Sequence, residues 1–322
     1  MELTIIIPVY NVENHLSRCL DSIFVGNNID GEFEVIAVDD GSTDNSYGIL
    51  QEYAFRYKQL KIYHQENQGS SVARNKALDI ATGKYIMFVD SDDFLSANSV
   101  KGVFDYIKEN GLDLLFFDYT KISSSEEQEC RTCPNLINGK TYSGEDYIKN
   151  SQYEGFGSLW SCVYRRSIIE VNKIRFYNGI IHQDVDFLMR LFPHVVKLQH
   201  LSRNVYNYYY VGESATRTKS IKKIQKNIFS DFIVINNVTK ASENYTENVR
   251  SMYSFQMNSL LVSLIITLVR DKKILGSEFC YKCLRYAKEN AIYPIGGRTL
   301  SWKTTALIPI INQEWLLRIL LK

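Results

Sequence analysis

Phe33-Glu34-Val35-Ile36-Ala37-Val38-Asp39-Asp40-Gly41-Ser42-Thr43-Asp44 is an apolar, largely β-branched run that stops on two carboxylates and a glycine. A strand followed at once by turn and capping residues is the first half of a βα unit. The same reading repeats outward. Further apolar runs begin at Leu3, Leu60, Tyr85 and Leu112, and the stretches between them are long enough for helices. Leu16, Leu20, Ile23 and Phe24 share one face of the first such helix, and Ile49, Leu50 and Tyr53 one face of the second. Ser42-Thr43-Asp44 and Ser96 are the expected caps of the helices that follow their strands. This alternation predicts an α/β fold with a mostly parallel sheet.

Beyond the first five runs the rhythm changes. Ser123 to Glu129 is polar and acidic, an expected loop or insertion, and shorter elements continue to about Tyr210. From Ile221 the pattern is helical to the end. The expected division is therefore a first domain over 1–220, in two parts 1–118 and 119–220, followed by a helical region 221–322. The uncharged run Ser251 to Val269 has the length of a membrane span, but seven of its residues are Ser, Asn, Gln or Thr, so a buried helix is the better reading. The stretch from Trp302 mixes Leu and Ile with two Trp and basic residues. It reads either as packing or as an amphipathic surface helix on a membrane.

Thirty-seven basic against 36 acidic residues leave a formal charge of +1, so no overall field selects a nucleic acid, and any anion must be met locally. Met1-Glu2 leads straight into the apolar run Leu3 to Val9 without a basic region, so no signal peptide is expected and the cytoplasm is the expected address. Six cysteines then read as reduced thiols. Cys130-x-x-Cys133 and Cys280-x-x-Cys283 have zinc half-site spacing, but they lie far apart in sequence and no His is near either. Incidental thiols are the preferred reading.

In a parallel sheet of this kind ligands bind beyond the carboxyl ends of the strands. The first strand ends Ile7-Pro8-Val9-Tyr10-Asn11, the second Val38-Asp39-Asp40-Gly41-Ser42, and the fourth Val89-Asp90-Ser91-Asp92-Asp93. Five carboxylates at two neighbouring strand ends repel one another unless something cationic lies between them. Mn²⁺ or Mg²⁺ would meet that need, since hard divalent cations take carboxylate oxygens and share them with substrate phosphates. Arg74, at the start of the helix after Gln68-Gly69-Ser70-Ser71, is a further candidate for phosphate. No Gly-x-Gly-x-x-Gly follows the first strand, and neither a phosphate-binding Gly-x-x-x-x-Gly-Lys-Ser/Thr loop nor a Gly-x-Ser-x-Gly elbow is present.

Four segments together are distinctive: Ile7 to Asn11, Val38 to Asp44, Asn67-Gln68-Gly69 with Ala73-Arg74-Asn75, and Phe88 to Asp93. In order and spacing they resemble the family 2 glycosyltransferases of GT-A fold. The resemblance is close over roughly the first hundred residues and looser through Trp160 and His182-Gln183-Asp184-Val185-Asp186-Phe187. It implies that Pro8 and Tyr10 line a nucleoside pocket, that Asp40 accepts the N3–H of a uracil, and that Asp90, with Ser91 beside it, contacts the ribose. It implies that Asp92 holds the metal on the diphosphate and that Asp184 is the general base. Gln183 stands where many relatives carry Glu, which removes a charge beside that base.

The implied reaction is an inverting transfer from a nucleotide-sugar donor, expected to be a UDP-sugar, to a hydroxyl of a glycan or lipid-linked acceptor, in bacterial surface polysaccharide assembly. No nucleic acid is implied. Peripheral contact with the inner face of the membrane and a homodimer are both left open. Two rivals are a nucleotidyltransferase, disfavoured by the lack of a Gly-rich basic loop near the N-terminus, and a sugar-nucleotide-binding protein without catalysis.

Overall fold

The computed structural model describes residues 1–27, 33–123, 128–131, 136–150, 158–210 and 220–322. The chain divides into two compact units, Met1–Gly179 with His194–Ser214, and Ile180–Pro193 with Ala215–Lys322. This differs from the expected boundary at 220 in one segment, because Ile180–Pro193 groups with the C-terminal helices. Cys133 and part of the expected acidic loop lie outside the described residues.

In the first unit the expected alternation is observed. It runs β1 (Leu3–Val9), α1 (Glu13–Phe24), β2 (Phe33–Asp39), α2 (Ser46–Arg56), β3 (Leu60–His64), α3 (Ser70–Ile80) and β4 (Tyr85–Phe88). There follow β5 (Phe94–Leu95), α4 (Val100–Glu109), β6 (Leu114–Ser123), β7 (Gln128–Arg131), α5 (Gly144–Asn150), β8 (Cys162–Arg165), α6 (Arg166–Val171) and β9 (Leu198–Tyr210). The strands form one sheet of order β3-β2-β1-β4-β8-β6-β9-β5, with β7 added on β6. β1, β2, β3 and β4 pair in parallel, whereas β8 is antiparallel to both β4 and β6. Leu16, Cys19, Leu20 and Ile23 of α1 are buried in the same core as Ile5, Ile7, Val35 and Ala37 of the sheet.

The chain leaves β1 toward β2 and β3 and later returns to pair β4 on the other side, so a crevice opens at the carboxyl ends of β1, β2 and β4. Pro8 marks it. Pairing of β1 with β4 ends at Ile6↔Phe88, followed only by the Val89 N–H bond to the Ile6 carbonyl, so the N–H that Pro8 lacks faces no partner strand. One expected cap falls elsewhere. Asn27 rather than Ser96 receives the first N–H groups of α4, its Oδ1 accepting from Ser99 and Val100 at 2.8 and 2.9 Å. Asp44 does cap, but at two helices, with Oδ2 accepting from the Glu13 N–H of α1 and Oδ1 from the Ser46 N–H of α2.

The second unit is helical among its described residues: α7 (Gln183–Leu191), α8 (Ile221–Ser242), α9 (Glu247–Arg270), α10 (Lys272–Leu275), α11 (Ser277–Glu289), α12 (Trp302–Thr305), α13 (Ile308–Ile311) and α14 (Glu314–Leu320). α9 is the one described helix long and apolar enough to cross a membrane. It packs along α8 and against α12 and α13, burying Tyr253, Met257, Leu261, Ile265 and Leu268. Asn258 donates to the carbonyls of Gly296 and Arg298 at 2.6 and 2.9 Å, and 44% of the most apolar window of α9 is buried, so the helix is only partly enclosed. Cys280 and Cys283 are buried in α11, where burial pushes the Cys283 thiol up to about 12, a state suited to packing and not to a thiolate ligand.

Candidate active site

The crevice of the first unit begins at a latch. Asn11 adopts φ 50°, and its Oδ1 accepts from the Thr43 N–H at 2.8 Å while its own N–H donates to Ser42 Oγ at 3.0 Å. Val12 N–H donates to Ser46 Oγ at 2.9 Å. The end of β1 is thus tied to the loop after β2, leaving Tyr10 exposed and Pro8 half-buried at the rim. Gly41 has φ 74°, and a Cβ there would stand 2.8 Å from the backbone N of Asn67, so only glycine fits.

Four of the five carboxylates at the strand ends are met by the protein itself. Asp39 faces His64 Nδ1 at 2.7 Å. Asp40 is buried and accepts from Gln65 Nε2 at 2.8 Å, the Gln68 N–H at 2.9 Å and the Gly69 N–H at 2.8 Å, which pins the loop before α3. Three donors leave its carboxylate about one further acceptor direction for a nucleobase. Asp90 receives Arg74 Nη2 at 2.6 Å. Asp93 is buried and accepts from Tyr206 O–H and the Tyr209 N–H, each at 2.7 Å. Burial first, and then the charges of Asp90 and Asp92, push the Asp93 carboxyl up to about 8 against those two donors.

Asp92 is the exception. Its side chain is exposed, and among the described residues the one donor against it is its own backbone N–H. Loss of water to the crowded rim and the charge of Asp90 hold its carboxyl above the usual range. Only its backbone is tied down, the Asp92 carbonyl accepting from Arg18 Nη2 at 2.9 Å. Arg18 lies between the rings of Phe94 and Tyr209, its guanidinium carbon 4.6 and 4.1 Å from their centres.

Arg74 is not a solvated helix charge. It is buried, its guanidinium carbon 5.7 Å from the centre of the Phe176 ring, and it neutralises Asp90 while its Nε has no partner among the described residues. Ser91 is buried within the turn. The expectation that a cation must offset all five acids narrows accordingly to Asp92 beside Asp90. Among the described residues no group of three or more His, Cys, Asp or Glu stands ready to hold a metal. One open carboxylate with a second beside it fits Mg²⁺ or Mn²⁺ shared with substrate phosphates, and does not fit an all-protein cage.

In the second unit Asp184 stands in the first turn of α7, half-exposed. Its Oδ1 accepts the Val185 N–H at 2.9 Å, and its Oδ2 has no partner among the described residues. Asp186, two positions on, is fully buried, ion-paired to Arg190 and bonded to Asn237 Nδ2 at 2.9 Å. Of the two, Asp184 alone keeps an open oxygen. His182, at the head of α7, meets Asp231 Oδ1 at 2.5 Å, and that hydrogen bond raises its pKa, with the charge of Asp184 adding to the effect.

The model of Glycosyl transferase family 2 matches residues 4–171, just over half of the 322 residues, and so takes in every crevice residue up to Asp93. The chain belongs to this family. Among relatives, glycosyltransferase YibD of Escherichia coli (strain K12) is 29% identical over 253 residues, 77% of this chain and 73% of that protein. The poly(ribitol-phosphate) beta-N-acetylglucosaminyltransferase TarP of Staphylococcus aureus (strain N315) is 28% identical over 253 residues, 74% of this chain and 72% of that one. Glycosyltransferase GlyA of Streptococcus pneumoniae serotype 4 is 30% identical over 214 residues, 64% of this chain but only 30% of that longer protein. The crystal structure of S. aureus TarS 1-349 in complex with UDP superposes with a TM-score of 0.70 at 19% identity, covering 99% of this chain and 90% of that one. This family 2 glycosyltransferase is thus a transferase with a mixed α/β fold like that of TarS, a central sheet flanked by helices and a helical C-terminal region.

The sequence reading missed Arg18, Tyr206 and Tyr209. The signal available for Arg18 was its place one turn into α1, beneath the first strand end. Nothing local marks the two tyrosines, since they reach the acidic turn only through the pairing of β5 with β9.

Proposed function

We propose that the enzyme moves a sugar from a uridine diphosphate sugar to a hydroxyl of a glycan or lipid-linked saccharide, with inversion and with Mn²⁺ or Mg²⁺, in bacterial surface polysaccharide assembly. The observation that carries this reading is the single open carboxylate of Asp92 on a turn whose other acids are neutralised from within. Such a rim offers one carboxylate to a cation shared with a diphosphate. The names of TarP and of the TarS complex with UDP support the donor and the class of acceptor.

In this reading Pro8 and Tyr10 flank the base, the remaining acceptor direction of Asp40 takes the uracil N3–H, and Asp90 with Ser91 meets the ribose. Asp92 would hold a bound Mn²⁺ or Mg²⁺, which would supply neutralisation of the diphosphate charge. Asp184 takes the proton from the acceptor hydroxyl as that oxygen bonds to the anomeric carbon and the bond to the diphosphate breaks. The leaving group needs no proton, so one carboxylate suffices, unlike the pair of an inverting glycosidase.

The test is transfer by the full chain from a panel of nucleotide sugars, read as nucleoside diphosphate release and as the anomeric configuration of the product by NMR. Asp184→Asn should lower turnover about 10²–10⁴-fold and leave UDP affinity unchanged. Near-normal turnover in that variant would remove Asp184 from the mechanism, and a product retaining the donor configuration would remove the single displacement.

A further inference from the structure

The helices α12, α13 and α14 carry apolar side chains that nothing covers. Trp302 is 77% exposed, Ile310 54%, Trp315 62% and Ile319 58%. On α14 the division is by face: Leu317, with Leu321 just beyond the helix, is buried, while Trp315 and Ile319, also four apart, point outward. Beside them an apolar groove of about 280 Å³ runs between α9 and these helices, lined by Ile266, Val269, Leu307, Ile310, Leu316 and Leu320. The segment is fixed and not frayed, for Lys272 Nζ donates to the Leu320 carbonyl at 2.7 Å and Tyr281 O–H to that of Arg318 at 2.9 Å.

Charge singles out what could cover this face. From Arg270 to Lys322 there are ten Lys and Arg against four Asp and Glu, in a chain whose totals are 37 against 36. This segment therefore carries a formal +6, and the rest of the chain −5. Lys273, Arg298, Lys303 and Lys322 are exposed and have no carboxylate partner among the described residues. The Lys303 ammonium lies 5.9 Å from the centre of the Trp302 ring, and Arg270 lines the groove itself.

We infer that this face docks on the surface of a bilayer containing anionic lipid. Trp302 and Trp315 would enter the interface between headgroups and acyl chains, where indole rings are favoured, and the four unpaired basic residues would meet the headgroups. The longest helix of the three has seven residues, about 10 Å, so the contact lies on the membrane and does not cross its ~30 Å core. A second copy of the chain suits the face less well, since a two-fold contact would set one positive surface against another.

The experiment is co-sedimentation of the full chain with vesicles of phosphatidylcholine alone or mixed with phosphatidylglycerol. Binding should require phosphatidylglycerol and fall with salt. Tryptophan emission should shift to the blue on binding, because Trp302 and Trp315 are exposed in solution while Trp160 is buried. Trp302→Ser with Trp315→Ser should reduce binding at least tenfold. Lys303→Glu with Lys322→Glu touches only side chains free in solvent, so it tests the surface without risk to the core; it should weaken binding roughly fivefold for each positive charge removed. A full chain that stays in solution with phosphatidylglycerol vesicles would overturn the inference. Self-association abolished by the same tryptophan substitutions would assign the face to a second copy instead.

Discussion

Tyr206 fixes the acidic turn at two points with one hydroxyl, donating to Asp93 Oδ2 at 2.7 Å and accepting the Asp90 N–H at 3.0 Å. Its ring stacks on Trp160 with centres 4.4 Å apart, and that contact survives in Tyr206→Phe. The substitution therefore isolates the hydroxyl. It leaves the buried Asp93 carboxylate with the Tyr209 N–H alone, so unfolding in urea should show a loss of about 1–3 kcal/mol. Metal-dependent UDP binding should weaken with it, because the carbonyl and side chain of Asp92 ride on the same turn. Unchanged stability would mean that the hydroxyl bonds are idle. The five acids were plain in the sequence, as was the need to neutralise them. Their division of labour was not, because the donors to Asp93 come from 113 and 116 residues further along the chain. Nor was the burial of Arg74, since the Phe176 ring beside it belongs to a distant segment.

At the scale of elements, the starts of β1 to β4 were legible because each is an apolar run ended by turn residues, and the helix faces followed from their spacing. The antiparallel β8, inserted between β4 and β6, carries no local mark of its place. Nor does the polar tie of the sheet. Glu34 lies on β2 with no exposure, accepting from Thr4 Oγ1 of β1 at 2.8 Å, Lys61 Nζ of β3 at 2.6 Å, and the N–H and hydroxyl of Thr82 at 2.7 and 2.8 Å. Burial alone would raise its carboxyl, but Lys61 and the threonine donors outweigh it and bring the pKa from 4.5 to about 2. A depressed folded value means stability that is present above about pH 4.5 and lost as pH falls through about 2. Glu34→Gln should cost about 1–3 kcal/mol at neutral pH and flatten the acid limb across that window in a pH series of thermal melts. An acid limb as steep as that of the parent chain would show that Glu34 does not govern it.

For the whole molecule, ligand and fold are linked through the first unit, Met1–Gly179 with His194–Ser214, which contains Pro8, Tyr10, Asp40, Arg74, Asp90, Ser91 and Asp92. A donor that binds the folded crevice and not the unfolded chain must raise stability by mass action. At a ligand concentration a hundred times the dissociation constant the gain is about 2.7 kcal/mol. For a folding unit of about 150–250 residues that corresponds to a rise in Tm of roughly 5–10 °C. The rise should need Mn²⁺ or Mg²⁺, because without one the diphosphate meets the open carboxylate of Asp92 unscreened. It should also need uracil: cytosine has no N–H at N3 and wastes the last acceptor direction of Asp40, so CDP should shift the melt less than UDP. Calorimetry of the full chain with each diphosphate, in Mn²⁺ and in EDTA, separates the two roles. Equal shifts in EDTA and in Mn²⁺ would remove the metal from Asp92, and a larger shift with CDP would remove the uracil from Asp40 while leaving the crevice as the donor site.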